Sequence, residues 1–480
     1  MEVFVITRSG LFAIVMILCL CAVGFCQGQA DKPKPEFRAM WVTAWESSLL
    51  TPAQIDETIE VARKANLNAL IVQVRKAGDA HYKSSYEPRG ENLPDPNFDP
   101  LAYIIKRAHA SGIEVHAWLN TYKVWQGSRP PKNPNHVFHK HPEWLNRNDK
   151  GELAKSGSNY GLDPGIKEVQ EYTHKIFMDI VKNYDVDGIH FDYVRYWDPW
   201  FGYSDLAVAR YKKETGAKHT PFYNDPQWCQ WRRDRVTDLV RQVYESVKAT
   251  KPWVKVTASV VCSQACPERW QESHPYNMLL QDWERWLHDG IVDAVVPMNY
   301  KTSPEEAELF AQWTAAMVKW SHGRHAYNGI SVRTIETYTN QVKISREKGT
   351  QGVVGFAFNG RNRGAFAEGL RGSVYSEWVP VPEMPWKPVR KSGGPIVSTD
   401  PKVLYDKAIT FANSNDFDTA IILLKRAVER DMNFKEAYFR LGRCYLRKNM
   451  KNEAAEYFRQ VLELDPSNKE AQEELRKIAS

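Results

Sequence analysis

Between Phe37 and Asn359 a short apolar run and an amphipathic stretch alternate eight times, and that count leaves few folds open. The runs are FRAMWVTA (37–44), ALIVQVR (69–75), EVHAWLN (114–120), GIHFDYV (188–194), KVTASVV (255–261), AVVPMNY (294–300), HAYNGISV (325–332) and GVVGFAFN (352–359). Apolar, β-rich runs of this length suit parallel strands buried on both faces. The stretches between them open with helix-start signals. Thr51-Pro52-Ala53-Gln54 and Ser303-Pro304-Glu305-Glu306 each set a hydroxyl cap, a proline at the first helical position, and Gln or Glu at the third. Asp99-Pro100 is another cap followed by proline. Eight βα units predict an α/β fold, the (β/α)8 TIM barrel. An open doubly wound sheet is the alternative, but no G-x-G-x-x-G turn follows the first strand.

Residues 378–397, WVPVPEMPWKPVRKSGGPIV, have the Pro-rich, Gly-Gly-ended composition of a linker. Beyond them the chain repeats at 34 residues: Ala408 aligns with Gly442, Phe411 with Tyr445, Ala420 with Ala454, Leu424 with Phe458, and Asp431 with Asp465. Small residues recur where two helices touch and aromatic ones where they fill gaps. This resembles the tetratricopeptide repeat, with 469–479 as a terminal capping helix, and implies a small all-α module that leans on the barrel or on a protein partner. The expected organisation is a leader over 1–30, a barrel over 31–375, a linker over 376–398 and repeats over 399–480.

The leader rests on Arg8 as a positive flank, an apolar run from Leu11 to Phe25, and small residues at Gly28 and Ala30. It predicts export to an extracytoplasmic compartment, with an uncleaved or lipidated anchor as the alternative; Cys26 would carry the lipid, although Phe25 before it is bulky for that signal. Export would allow a local bridge between Cys262 and Cys266. With 64 basic against 58 acidic residues the charge is too balanced to imply nucleic acid as a partner. Seventeen tryptophans are many, and flat apolar faces with a donor edge suit sugar rings as well as a large core.

The chemistry is expected on VDGIHFDYVRY (186–196), which reads as the fourth strand presenting His190, Asp192 and Arg195 at its carboxyl end. In a barrel that end of a strand lines the active cleft. Glycoside hydrolysis needs one carboxyl group to protonate the leaving oxygen and usually a second as nucleophile or base. Asp192 is the first candidate, with Arg195 as its charge partner or as half of a structural ion pair. Glu46 and Asp79, after strands one and two, compete for the second place. Asp163 reads better as a helix cap before Pro164. Gln73, Arg75, Asn120, His190, Asn299 and Tyr300 sit at or near strand ends and are candidates to bind sugar hydroxyls; for His190 a hydrogen-bonded place inside the barrel is the competing reading. The long stretches 121–163 and 195–225, rich in aromatics, are expected to wall the cleft.

FRAMWVT, VQVRKAGDAHY (72–82), GLDPG (161–165), DGIHFDYVRY (187–196) and DAVVPMNY (293–300), in this order, resemble the glycosyl hydrolase-like 10 family from about Phe37 to Asn359. The resemblance implies glycosidase activity on bacterial envelope glycans, peptidoglycan strands stripped of stem peptides among them. A partial likeness to family 18 chitinases, in DGIHFDYV and PMNY, fails where their acid glutamate would be Val194. The expected function is an extracytoplasmic glycoside hydrolase acting on a cell-wall or related polysaccharide, needing no organic cofactor and no metal, with the repeats free to take a protein partner. The alternative is a non-catalytic glycan-binding scaffold whose repeats recruit envelope proteins.

Overall fold

A computed structural model of the chain describes residues 34–46, 48–358 and 363–479. The expected leader lies outside the described residues. From Glu36 onward the chain forms one compact unit. Its centre is a closed barrel of eight parallel strands: β1 Phe37–Val42, β2 Ala69–Arg75, β3 Glu114–Asn120, β4 Gly188–Asp192, β5 Lys255–Val260, β6 Ala294–Pro297, β7 His325–Ser331 and β8 Gly352–Phe356. Each strand pairs with its neighbours in sequence, and β8 closes on β1. The helices that return the chain are α1 Pro52–Lys64, α2 Pro100–Ala110, α3 Lys167–Asn183, α4 Pro226–Thr250, α5 Trp283–His288, α6 Ala307–Lys319, α7 Ile335–Glu347 and α8 Arg363–Arg371. The Thr51 and Asp99 caps form as expected, accepting from the N–H groups of Gln54 and Ala102, and Ser303 and Glu306 close a capping box. No described helix is long and apolar enough to cross a membrane.

All eight expected strands are present, several ending earlier than their apolar runs. Past the ends of β4 and β6, Tyr193, Met298 and Tyr300 line the barrel mouth. Period-two alternation sorts the rest. Phe37, Ala39, Trp41, Ile71, Trp118 and Tyr327 fill the barrel interior. Met40, Val42, Leu70 and Val72 face outward into the layer of helices.

The Pro-rich stretch after α8 straps the N-terminal mouth of the barrel. Pro380 O accepts from Glu36 N at 3.1 Å and Val379 O from Asn68 Nδ2 at 3.0 Å, while Met384 is buried with the interior cluster. Trp386 Nε1 donates to Asp293 Oδ1 and Lys387 Nζ pairs with Oδ2, both at 2.8 Å. Proline-rich backbone makes few bonds within itself, so its carbonyls and side chains are available to the barrel.

The repeats are the hairpins α9 Pro401–Asn413 with α10 Phe417–Arg430 and α11 Lys435–Arg447 with α12 Lys451–Leu464, closed by α13 Lys469–Ala479. At Gly442 a Cβ would stand 2.6 Å from the Phe458 ring, which is why this crossing takes a small residue. The module leans on the barrel: Glu429 pairs with Arg63, Asp416 with Lys106, and Arg426 Nη1 donates to Ala110 O at 2.7 Å. The expected Cys262–Cys266 bridge is absent. Both thiols are free, Cys262 inside the core, where burial pushes it up to about 12, and Cys266 half-buried.

Candidate active site

Strand β4 delivers Asp192 to the C-terminal mouth, pointing inward like His190 two residues before it. Directly after it Tyr193 takes the left-handed backbone region, φ 50°, where only a strongly held non-glycine residue is found. That turn lets Tyr193 N donate to Asp192 Oδ1 at 2.7 Å. Trp118 Nε1 donates to Oδ2 at 3.1 Å from the neighbouring strand β3. Arg195 Nη1 stands 3.9 Å from Oδ1, an electrostatic neighbour beyond hydrogen-bond reach. Asp192 is 6% exposed. Its burial pushes the carboxyl above the usual carboxylate range, against the opposing pull of Arg195, the two N–H donors and Lys123.

The cleft over Asp192 has a volume of about 210 Å³ and is walled largely by aromatic rings. Trp45 meets Trp118 edge-on at 6.1 Å, Trp41 meets Phe356 edge-on at 6.0 Å, and Phe356 leans on Tyr300 at 5.6 Å. Burial, and then the charge of Asp192, push the Tyr300 phenol well above its ordinary value. Lys123 Nζ is held by Gln126 Oε1 at 2.8 Å and lies 5.1 Å from the Tyr193 ring centre. Burial pulls this ammonium down, and the charge of Asp192 partly restores it. Among the described residues lining the cleft Asp192 is the one carboxylate. Cavities of about 240, 330 and 510 Å³ elsewhere lie at the seam with the repeats, on the repeats and beside Tyr184; none has a strand-end carboxylate aimed into it. No group of three metal-ligating side chains occurs among the described residues.

Of the residues singled out in the sequence, the structure gathers Asp192, Arg195 and Tyr300 around the cleft. Glu46 is exposed beside Trp45 and does not line the cleft. Asp79 serves its own turn, accepting from Ala77 N at 2.8 Å. Burial opposes its charge, but His81, Lys76 and that N–H outweigh it and hold the carboxyl low. Asp163 is structural, although not as a cap: its oxygens accept from Gly165 N and Ser204 Oγ and tie two loops together.

Five expected sugar binders are spent inside the barrel wall. Arg75, fully buried, forks onto both Glu87 oxygens at 2.8 and 2.7 Å and donates to the carbonyls of Asn120 and Thr121. Asn299 donates to Phe310 O and Thr314 Oγ1. Asn120 donates to Lys76 O. His190 is buried beneath Asp192, and burial holds it well below its ordinary pKa, so it stays neutral. It accepts at Nε2 from Trp41 Nε1 at 3.2 Å; an indole only donates, so the proton sits on Nδ1, 2.8 Å from Thr257 Oγ1. This histidine orients Trp41 rather than substrate. Gln73 is buried as well, its Oε1 accepting from Ala44 N.

The loop aromatics mostly pack on one another. Trp144 stacks on His141 at 3.6 Å and Trp200 lies against Tyr223 at 3.5 Å, so of the two expected walls only Arg195 reaches the cleft. Sequence reasoning missed Trp41, Trp45, Trp118 and Phe356. The available signal was the alternation itself, which puts Trp41 and Trp118 on the inward face of their strands.

A family model described as "Glycosyl hydrolase-like 10" matches residues 36–344, and a tetratricopeptide repeat model matches 435–468. The glycosyl hydrolase YngK of Bacillus subtilis (strain 168) is 28% identical over 401 residues, 75% of this chain and 75% of that protein. The glycosyl hydrolase DigH of Escherichia coli (strain K12) is 27% identical over 304 residues, 58% of this chain and 65% of that protein. In fold, the barrel is similar to the PgaB (BpsB) glycoside hydrolase domain from Bordetella bronchiseptica, with a TM-score of 0.53 at 16% identity over 70% of this chain and 99% of that one. With the family match spanning most of the barrel, the chain belongs to the glycosyl hydrolase-like 10 family.

Proposed function

We propose that the protein is an extracytoplasmic glycoside hydrolase that cleaves a glycosidic bond in a cell-wall or related polysaccharide, denuded peptidoglycan among its substrates. One observation carries the reading: an inward strand-end carboxyl, raised by burial, at the base of an aromatic cleft. Such a group keeps its proton nearer neutral pH and can give it to a leaving glycosidic oxygen, while the rings stack on sugar faces. The relatives called glycosyl hydrolases support the reaction class. The apolar run before Cys26 supports export. The repeats offer a surface for an envelope protein.

The test is to incubate the protein with denuded peptidoglycan, chitin oligomers and plant glucans and to identify products by mass. New reducing ends from one of them, lost in Asp192→Asn, are the expected result. Tight binding with no product would favour the glycan-binding scaffold, which the same aromatic lining would serve.

A further inference from the structure

The loop after β4 carries exposed rings that the cleft does not use. Trp200 and Tyr223 lie 3.5 Å apart between ring centres at an angle of 35°. Trp200 is 40% exposed, and Phe222, next to Tyr223 in the chain, is 82% exposed. Single exposed aromatics are ordinary on a protein surface; three together on a pinned backbone are not. The pin is Arg232, fully buried on α4. Its Nη1 donates to Pro199 O and Phe201 O, both at 2.6 Å, on either side of Trp200, and its Nη2 donates to Tyr223 O at 2.7 Å. The guanidinium lies over the rings of Tyr196, Tyr203 and Trp228 and meets carbonyls where a buried arginine usually meets a carboxylate. Tyr203 Oη donates to Pro221 O at 3.2 Å. With Pro221 and Tyr223 both held, Phe222 between them stays turned to solvent. A buried guanidinium without a counter-ion is costly to a fold, which points to a use for the rings it fixes.

We infer that Trp200, Phe222 and Tyr223 form a second glycan-binding site, a platform on the rim of the barrel mouth that holds a stretch of polysaccharide outside the cleft. This rests on the reading of the protein as a polysaccharide enzyme and adds a site to it. Two observations favour a sugar chain as the occupant. The platform is continuous with the cleft: Tyr193, in the cleft wall, meets Trp197 edge-on at 5.8 Å, and Trp197 shares a small cavity with Phe201, the neighbour of Trp200 in the chain. The polar groups flanking the rings are acceptors and an amide. Asp198 Oδ1 accepts from Trp200 N at 3.0 Å and Asp225 Oδ1 from Trp228 N at 2.9 Å, so each carboxylate keeps a second oxygen for a sugar hydroxyl, and Asn224 is exposed between the rings and Asp225. Flat ring faces with acceptors at their edges suit pyranose rings, whereas acidic neighbours repel an anionic membrane surface. A chain gripped by platform and cleft together is held by avidity. The site therefore strengthens the hold on long chains and adds nothing for chains too short to span both.

The test uses the full-length protein with denuded peptidoglycan, glycol chitin and a plant glucan, each supplied as polymer and as short oligomers. Trp200→Ala is expected to lower kcat/KM on the cleaved polymer about tenfold, through KM, and to leave the shortest cleaved oligomer within about twofold of the parent. Phe222→Ala, at a position too exposed to disturb folding, is expected to lower the polymer value about threefold. Parental values on the polymer in both variants would overturn the inference and leave the glycosidase reading standing. An equal loss on polymer and oligomer would make Trp200 a support of the cleft, and the inference would fail in the same way. Sedimentation with phosphatidylglycerol vesicles and size-exclusion chromatography test the other occupants: vesicle binding or self-association that depends on Trp200, with polymer binding untouched, also overturns it. Where no polymer is cleaved, equilibrium binding to the same polymers decides. A Kd weakened by both substitutions upholds the site while the glycosidase reading falls, and a parent that binds none of them sinks both.

Discussion

At Asp192 burial and hydrogen bonding pull in opposite directions, and burial prevails. Asp192→Asn is therefore expected to lower kcat about 10²–10⁴-fold on any cleaved oligomer, as loss of a general acid does, with an unchanged circular dichroism spectrum. A variant with near-parental turnover would refute the assignment. Trp118→Phe makes a second prediction with a definite sign. The indole N–H favours the charged carboxylate, so removing it raises the carboxyl further and the acid form persists to higher pH. The basic limb of the kcat/KM profile moves up; a downward move would contradict the role given to Trp118. Stability follows the same linkage. A folded-state pKa above the unfolded value gives stability that is full below the unfolded pKa and lost as pH rises through the folded one. Asp192→Asn cannot ionise, so its thermal midpoint relative to the parent is expected to rise across that window, read by melting at a series of pH values.

At the scale of elements, β2 and β4 do different work with similar residues. Arg75 on β2 and Arg195 after β4 are both strand-end arginines. Arg75 has Glu87 and two carbonyls, and through them it pins the turn after β3 that leads to Lys123. Arg195 instead faces Asp192 at 3.9 Å, beyond hydrogen-bond reach, and lies over the Tyr193 ring. Glu87→Gln would leave Arg75 buried against a neutral amide, and breaking a buried pair in this way costs about 3–5 kcal/mol. A clear drop in the urea midpoint is expected, and an unchanged midpoint would show that the carbonyls alone satisfy Arg75. Nothing in VQVR told the two arginines apart, because the partner of Arg75 stands twelve residues on, in a loop with no periodic pattern. The repeats were easier to read: each contact in a helical hairpin lies within a residue or two of its place in the next, so the period appears directly in the chain.

For the whole molecule the strap matters more than the repeats. A chain ended after Val397 keeps the strap and loses only the module that leans on α1 and α2, whose visible pairs are largely at the surface. Turnover on short soluble oligosaccharides is expected to survive. A chain ended after Tyr375 also loses Met384 from the barrel interior and strips buried Asp293 of Lys387 and Trp386. It is expected to unfold or aggregate, seen as lost solubility and rapid proteolysis. Equal behaviour of the two truncations would show that the strap is dispensable.

The number of strands, the inward side of each and the 34-residue period were legible in the amino-acid order, because alternation and repeat spacing are local properties of a chain. They suffice to put Asp192 at the barrel mouth. They say nothing about depth or about which polar groups meet across the barrel. His190 and Asp192 share a face two residues apart, yet one is locked between Trp41 and Thr257 while the other opens on the cleft. Asn299 and Tyr300 are adjacent, yet one donates to Phe310 and Thr314 and the other lines the cleft. The Pro-rich stretch carries the composition of a spacer and closes the barrel floor. Each of these outcomes depends on distances between elements far apart in sequence, which come into being only when the eighth strand closes on the first.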